Sequence, residues 1–125
     1  MIRLSEIDST QAFLGRHPEL GLCGVLAETQ TAGRGRGGNA WASAPGAGLW
    51  LSARVPVPAL AVGVMLQRAM TAVIEVLEPC GLVLGLKWPN DLVAWQDGRL
   101  VKLGGIIGEL SKGHMVLGVG VNLTA

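Results

Sequence analysis

An α+β domain, with helices packed against a mixed or antiparallel sheet, is the fold class the sequence predicts. Three observations predict it. A segment after Pro58 carries Gln67, Arg68, Thr71, Glu75 and Glu78 three or four apart, a narrow polar stripe on an otherwise apolar helix that should be largely buried. Short apolar runs follow, punctuated by hairpin signals at Asp97-Gly98 and Ser111-Lys112-Gly113. Half of the 125 residues are hydrophobic and 15% are charged, which is enough apolar matter for one core. One buried helix laid against consecutive hairpins is an α+β arrangement.

In chain order, residues 2–7 read as a short strand. Ser9 is a suitable N-cap for a helix running to about Arg16, ahead of Pro18. Residues 22–27 have the length of a strand. Residues 29–48 hold six glycines and no acid and read as one long loop, a length that compact domains keep for function. Residues 49–55 form the next strand. Pro58 can open the helix, and Pro79 and Gly81 close it. Strands are expected at 82–86, 92–95, 100–110 and 115–123.

Several function classes are excluded at this stage. Net charge is +1 and the only close arginine pair is Arg34 and Arg36, so no nucleic-acid footprint is predicted. The N-terminus has acids and no apolar core of a signal peptide. The most apolar stretch, residues 60–77, is broken by Gln67, Arg68 and Glu75, so no membrane span is expected and a cytoplasmic location is. Cys23 and Cys80 make no disulfide framework and read as small buried residues. His17 and His114 read as surface histidines, and no metal-ligand spacing occurs. Glycines at 33–38 and 108–113 lack the Lys-Ser/Thr of a phosphate loop. Gly104, Gly105 and Gly108 sit on a strand, not at a strand-to-helix turn.

Four segments carry chemistry. Gly33 to Trp41 alternates glycine with Arg34 and Arg36. Glycine permits close backbone approach, arginine grips phosphate with paired hydrogen bonds, and Trp41 can cover an apolar ligand; a plain surface loop fits equally well. Lys87-Trp88-Pro89-Asn90-Asp91 gathers a cation, an amide and a carboxylate at a corner, as a turn with a salt bridge also would. Lys102-Leu103-Gly104-Gly105 puts a cation on a glycine-interrupted strand, where a ligand or a second backbone comes close. Gly118-Val119-Gly120-Val121-Asn122 repeats that theme, and tight strand packing would explain it too.

Together and in order these segments resemble the biotin–protein ligase family. The resemblance begins at Asp8-Ser9-Thr10 and Glu28-Thr29-Gln30. It continues through GRGRGGNAW at 33–41, KWPND at 87–91, KLGGII at 102–107 and GVGVN at 118–122, nearly the whole chain. Gln11 stands where the family often has Asn, and Asn39 where many members have Arg. Lipoate ligases and octanoyltransferases share the fold type but carry a different signature.

The resemblance implies a class II aminoacyl-tRNA synthetase/biotin synthetase-like fold, short at its C-terminal side. Residues 1–125 would be the catalytic domain, incomplete at the C-terminus and without the DNA-binding domain of repressor-type members. The implied enzyme is an AMP-forming biotin–[acetyl-CoA-carboxylase] ligase. It makes biotinyl-5′-adenylate from biotin and ATP with Mg²⁺, then transfers biotin to a lysine of a biotin carboxyl carrier protein. Lys102, Lys87, Arg34, Arg36 and Asp91 would be catalytic. Ser9, Thr10, Gln30, Gly33, Arg34, Arg36, Trp41, Lys102, Gly104 and Gly105 would meet biotin. Arg36, Lys87, Asn90 and Asn122 would meet ATP or adenylate. Asp91 would orient Lys87 or help the carrier lysine lose its proton. Oligomeric state stays open, a homodimer included. Two alternatives remain: a non-catalytic module that binds biotin or its adenylate, and a relative that handles lipoate or octanoate.

Overall fold

The computed structural model describes residues 1–57, 62–111 and 113–123. The described strands are β1 (Ile2–Ile7), β2 (Gly24–Arg34), β3 (Ala40–Ser43), β4 (Gly48–Pro56), β5 (Leu84–Lys87), β6 (Asp91–Gln96), β7 (Arg99–Ser111) and β8 (His114–Asn122). The helices are α1 (Thr10–Arg16) and α2 (Val62–Leu77). All eight strands join one sheet in the order β1-β2-β4-β8-β7-β6-β5, with β3 pairing β2 off that path. β1 and β2 run parallel and the other pairs antiparallel, so the sheet is mixed as expected. Two expected features, the helix start at Pro58 and the turn residue Lys112, lie outside the described residues.

α1 is a crossover between parallel strands. Its N-terminus is capped by the Ser9 hydroxyl, which accepts from the Ala12 N–H at 3.2 Å. Asp8, just before the cap, is gripped by both Arg16 terminal nitrogens at 2.8 Å. At the other end, Arg54 of β4 reaches under the helix. Its guanidinium donates to the carbonyls of His17 at 3.1 Å, Gly21 at 2.9 Å and Leu14. Arg54 is only 6% exposed. Its charge is met by the negative end of the helix and by carbonyls that would otherwise be orphaned. Leu14, Val25 and Val116 pack beneath α1.

α2 covers the opposite face of the sheet, where Met70 meets Leu92, Ile106 and Val121. The expectation of a largely buried helix is corrected here. Met70 is its one buried residue among those described, and Val76 is 75% exposed. The apolar composition extends around the helix, but the sheet covers only one stripe of it. Gly81, at φ 80, takes up the left-handed conformation that ends the segment. The cysteines also differ from expectation: Cys80 is exposed and Cys23 only partly buried.

Residues 29–48 are not one loop. β2 continues through Arg34, and β3 folds back on it with Gly33 opposite Trp41. The turn between them closes on Gly37 and Gly38, at φ 67 and 79. Glycine content hid a hairpin, because the turn and one packing contact need glycine while the strand tolerates it. The other hairpin signal held: Asp97 and Gly98, at φ 49 and 74, join β6 to β7.

Candidate functional site

On the face of the sheet away from α2 lies a cavity of about 620 Å³. Its closed end is polar. Thr10 at the start of α1 presents its hydroxyl to Ser52 of β4 at 2.8 Å and to the Gln30 side-chain oxygen at 3.0 Å. That oxygen also accepts the Thr10 N–H at 2.8 Å. Gln30 Nε2 donates to Ser43 at 2.9 Å, and Ser43 to the Trp41 carbonyl at 3.3 Å. Gln11, one residue into the helix, donates to the Val116 carbonyl at 2.8 Å and accepts from Ser52 at 3.0 Å. A capped helix N-terminus and four strands are thus tied by one largely buried chain of polar contacts.

Trp41 lies across the middle of the cavity, against the sheet. Glycines from three motifs form its seat. A Cβ at Gly120 would lie 2.8 Å from the indole nitrogen, and Cβ atoms at Gly35 and Gly105 would touch the ring at 3.8 and 4.0 Å. Trp41 Nε1 is buried and has no hydrogen-bond partner. Lys102 Nζ lies 5.2 Å from the ring centroid, in cation–π range.

The mouth is charged. Lys102 and Asp91 form an ion pair at 3.2 Å. They meet because the β6–β7 ladder is irregular: Leu92 pairs with Gly104 but Val93 pairs with Lys102, leaving Leu103 as an extra residue. Without that bulge, alternation from Gly105 would turn Lys102 towards α2; with it, both face the cavity. Asn90 fastens the corner. Its Nδ2 donates to the Ile106 carbonyl at 3.1 Å, and its own carbonyl accepts the Ile106 N–H at 3.0 Å. Arg34 reaches Glu109 across the cavity rim at 3.4 Å. Asp91 is the one carboxylate lining this cavity, and no cluster of three metal-binding side chains occurs among the described residues.

The structure brings Ser9, Thr10, Gln30, Arg34, Arg36, Trp41, Asn90, Asp91, Lys102, Gly105 and Asn122 into the wall of this cavity. It does not bring Gly33, Lys87 or Gly104 there. Gly33 sits behind Gln30, where a Cβ would come within 2.9 Å of the Gln30 amide and of Ser43. Gly104 is paired with Val121 and buried in the sheet. Lys87 is exposed at the end of β5, paired with Asp91 in register, while Asp91 spends its charge on Lys102. Sequence reading missed Gln11 and Ser52 as wall residues. Ser52 had no signal, being one serine on an apolar strand. Gln11 stood out only as a departure from the family pattern.

This fold is shared with a known protein family. The chain belongs to the biotin/lipoate A/B protein ligase family, which it matches over residues 7–123. It is 43% identical over 107 residues to the biotin–[acetyl-CoA-carboxylase] ligase of Mycobacterium tuberculosis, covering 80% of this chain and 39% of that protein. It is 41% identical over 132 residues to the bifunctional ligase/repressor BirA of Escherichia coli, covering 96% and 39% respectively. Among solved structures, the biotin protein ligase of Aquifex aeolicus in complex with biotin and ATP superposes with a TM-score of 0.73. That match is at 33% identity and covers 99% of this chain and 52% of the other. The chain thus spans about two fifths of those curated relatives. No helix among the described residues is long and apolar enough to cross a membrane.

Proposed function

We propose that this chain is the catalytic portion of a biotin–protein ligase, forming biotinyl-5′-adenylate from biotin and ATP and passing the biotinyl group to a carrier-protein lysine. The observation that carries the reading is the convergence of four sequence-distant motifs on one cavity, polar at its closed end and cationic at its mouth. An acid with a polar head group fits head-first. Thr10, Ser52 and Gln30 would take the head group, Trp41 would flank the apolar stem, and the carboxylate would emerge beside Lys102.

The chemistry follows from charge. A carboxylate is already ionised near neutral pH and needs no base to attack the α-phosphorus, where the bond to the β-phosphate breaks and pyrophosphate leaves. It does need alignment and cover for its charge as it meets a polyanion. Lys102, Arg34 and Arg36 line the cavity and can supply this. Lys102 would exchange Asp91 for the incoming carboxylate, a swap that leaves it paired throughout. Lys87 would act from the rim, on the nucleotide's outer phosphates. Mg²⁺ would arrive on those phosphates, with Asp91 as the available wall carboxylate, consistent with its preference for few protein ligands. Attack of the carrier amine on the acyl carbon then expels AMP.

Exchange of labelled pyrophosphate into ATP tests the reading. It should depend on biotin and fail with octanoate or lipoate. Exchange supported equally by octanoate would refute the biotin assignment, and tight biotin binding without any exchange would favour a binding module.

A further inference from the structure

We propose that Gln11 is a positioning residue that acts through Ser52 to make the closed end of the cavity select a head group bearing N–H donors. The inference rests on the ligase reading and deepens it. It comes from counting protons. Between Gln11 Oε1 and Gln30 Oε1 stand two hydroxyl oxygens, Ser52 Oγ and Thr10 Oγ1, giving three contacts of 3.0, 2.8 and 3.0 Å in a row. Two hydroxyls bring two protons to three contacts.

Neither amide can supply the third. Each meets the hydroxyls with its oxygen, because Gln11 Nε2 is turned to the Val116 carbonyl at 2.8 Å and Gln30 Nε2 to Ser43 at 2.9 Å. Gln30 Oε1 is further fixed as an acceptor by the Thr10 N–H. Amide oxygens at both ends accept better than a hydroxyl, so both protons point outwards, Ser52's to Gln11 and Thr10's to Gln30. The Thr10–Ser52 contact is then lone pair against lone pair. Gln11, Thr10 and Ser52 are 3%, 3% and 1% exposed, so a donor can reach the deficit only from the cavity they line. A ligand N–H brought to Thr10 and Ser52 does.

Gln11 is what creates the demand. Without its carbonyl, the Ser52 proton turns to Thr10 Oγ1, the two hydroxyls no longer oppose each other as acceptors, and the demand for a donor at the closed end falls. Gly118 is the seat that lets Gln11 reach: a Cβ there would lie 2.6 Å from Gln11 Oε1 and 3.3 Å from its Cδ. The ureido ring of biotin carries two N–H groups, whereas octanoate carries none.

The test is calorimetric binding of biotin and of octanoate to the parent, Gln11→Met, Ser52→Ala and the double variant. Gln11→Met should weaken biotin by about tenfold, the size of one buried hydrogen bond, and leave octanoate within about twofold. In the Ser52→Ala background it should change nothing further, because its route is gone. Gly118→Ala keeps every hydrogen-bonding side chain yet displaces the amide. It should lower the same preference, and it carries the test if Gln11→Met does not fold. Equal weakening of both acids, or additivity with Ser52→Ala, would show a packing role and overturn the proposal. A parent that prefers biotin with a preference unmoved by either variant overturns this proposal alone. A parent that binds octanoate as well as biotin overturns the ligase reading, and this inference with it.

Discussion

Gly120→Ala should damage the site from a position that presents no side chain to it. The added methyl would stand 2.8 Å from the Trp41 indole nitrogen, 2.9 Å from Cε2 and 3.1 Å from Cζ2, where ordinary contact begins at 3.4 Å. Three atoms of one rigid fused ring are struck together, so no terminal rotation relieves the clash and the indole must withdraw bodily. Gly35 and Gly105 bound the ring elsewhere, and Lys102 rests 5.2 Å from its centroid. Overpacking of this kind costs about 1–3 kcal/mol. Part should appear as lower stability in urea and part as biotin binding weakened roughly tenfold, read by denaturation and calorimetry. Gly15→Ala is the control. It lies in α1 with nothing within 4 Å of its Cβ, so it should stabilise by about 0.5–1 kcal/mol and leave binding alone. If Gly120→Ala matches the parent in both assays, the glycine seat for Trp41 is wrong.

Lys102→Ala should slow adenylate formation about a hundredfold or more, the usual cost of losing one positioned charge near a developing anion, as checked by single-turnover measurement. Arg54→Met removes the donor shared by the Leu14, His17 and Gly21 carbonyls and should destabilise by about 2–4 kcal/mol in urea denaturation. The Arg16 guanidinium and the Ser9 N–H lower the Asp8 pKa from 3.8 to about 2. A depressed carboxylate stabilises above its unfolded pKa, so this contribution is present above pH 4 and fades as pH falls towards 2. The pair is solvent-exposed and its effect small. Asp8→Asn should flatten that part of the acid denaturation profile.

The sheet, the capped helix and the Asp97-Gly98 turn were legible because each rests on local chemistry: alternation, a hydroxyl before a helix, a turn that needs positive φ. The ends of β2 and the existence of β3 were not, because glycine marks turns, close packing and strand alike. The burial of α2 was overstated for a related reason. An apolar helix surface says that burial would be favourable, not that a partner covers it. At the site, most motif residues with a distinctive charge, amide or ring line the cavity, while Lys87 stays exposed at the end of β5. Beyond the misplaced Gly33, Lys87 and Gly104 and the missed Gln11, the bulge at Leu103, which decides the face Lys102 takes, and the burial of Ser52 also escaped. The last two depend on register between strands, which a linear pattern does not contain.

The glycines invite a different account from the one their motifs suggest. Glycine-rich segments are read as places where a ligand meets bare backbone. In this cavity the vacated space is largely filled by the protein itself. Gly33 makes room for the Gln30 amide and Ser43, Gly118 for Gln11, and Gly120 for Trp41. Gly118 and Gly120 are each matched to one large side chain that they allow to lie against the sheet, and Gly33 to a pair of polar ones and the Trp41 carbonyl. The side chains so seated are held in place before any ligand arrives, by hydrogen bonds at the closed end and by ring contact at the middle. A cavity built this way has already lost the rotamer entropy that a floppy glycine loop would lose on binding. Its selectivity then resides in the orientation of seated amides and hydroxyls, and the glycines act on the ligand only through the groups they seat.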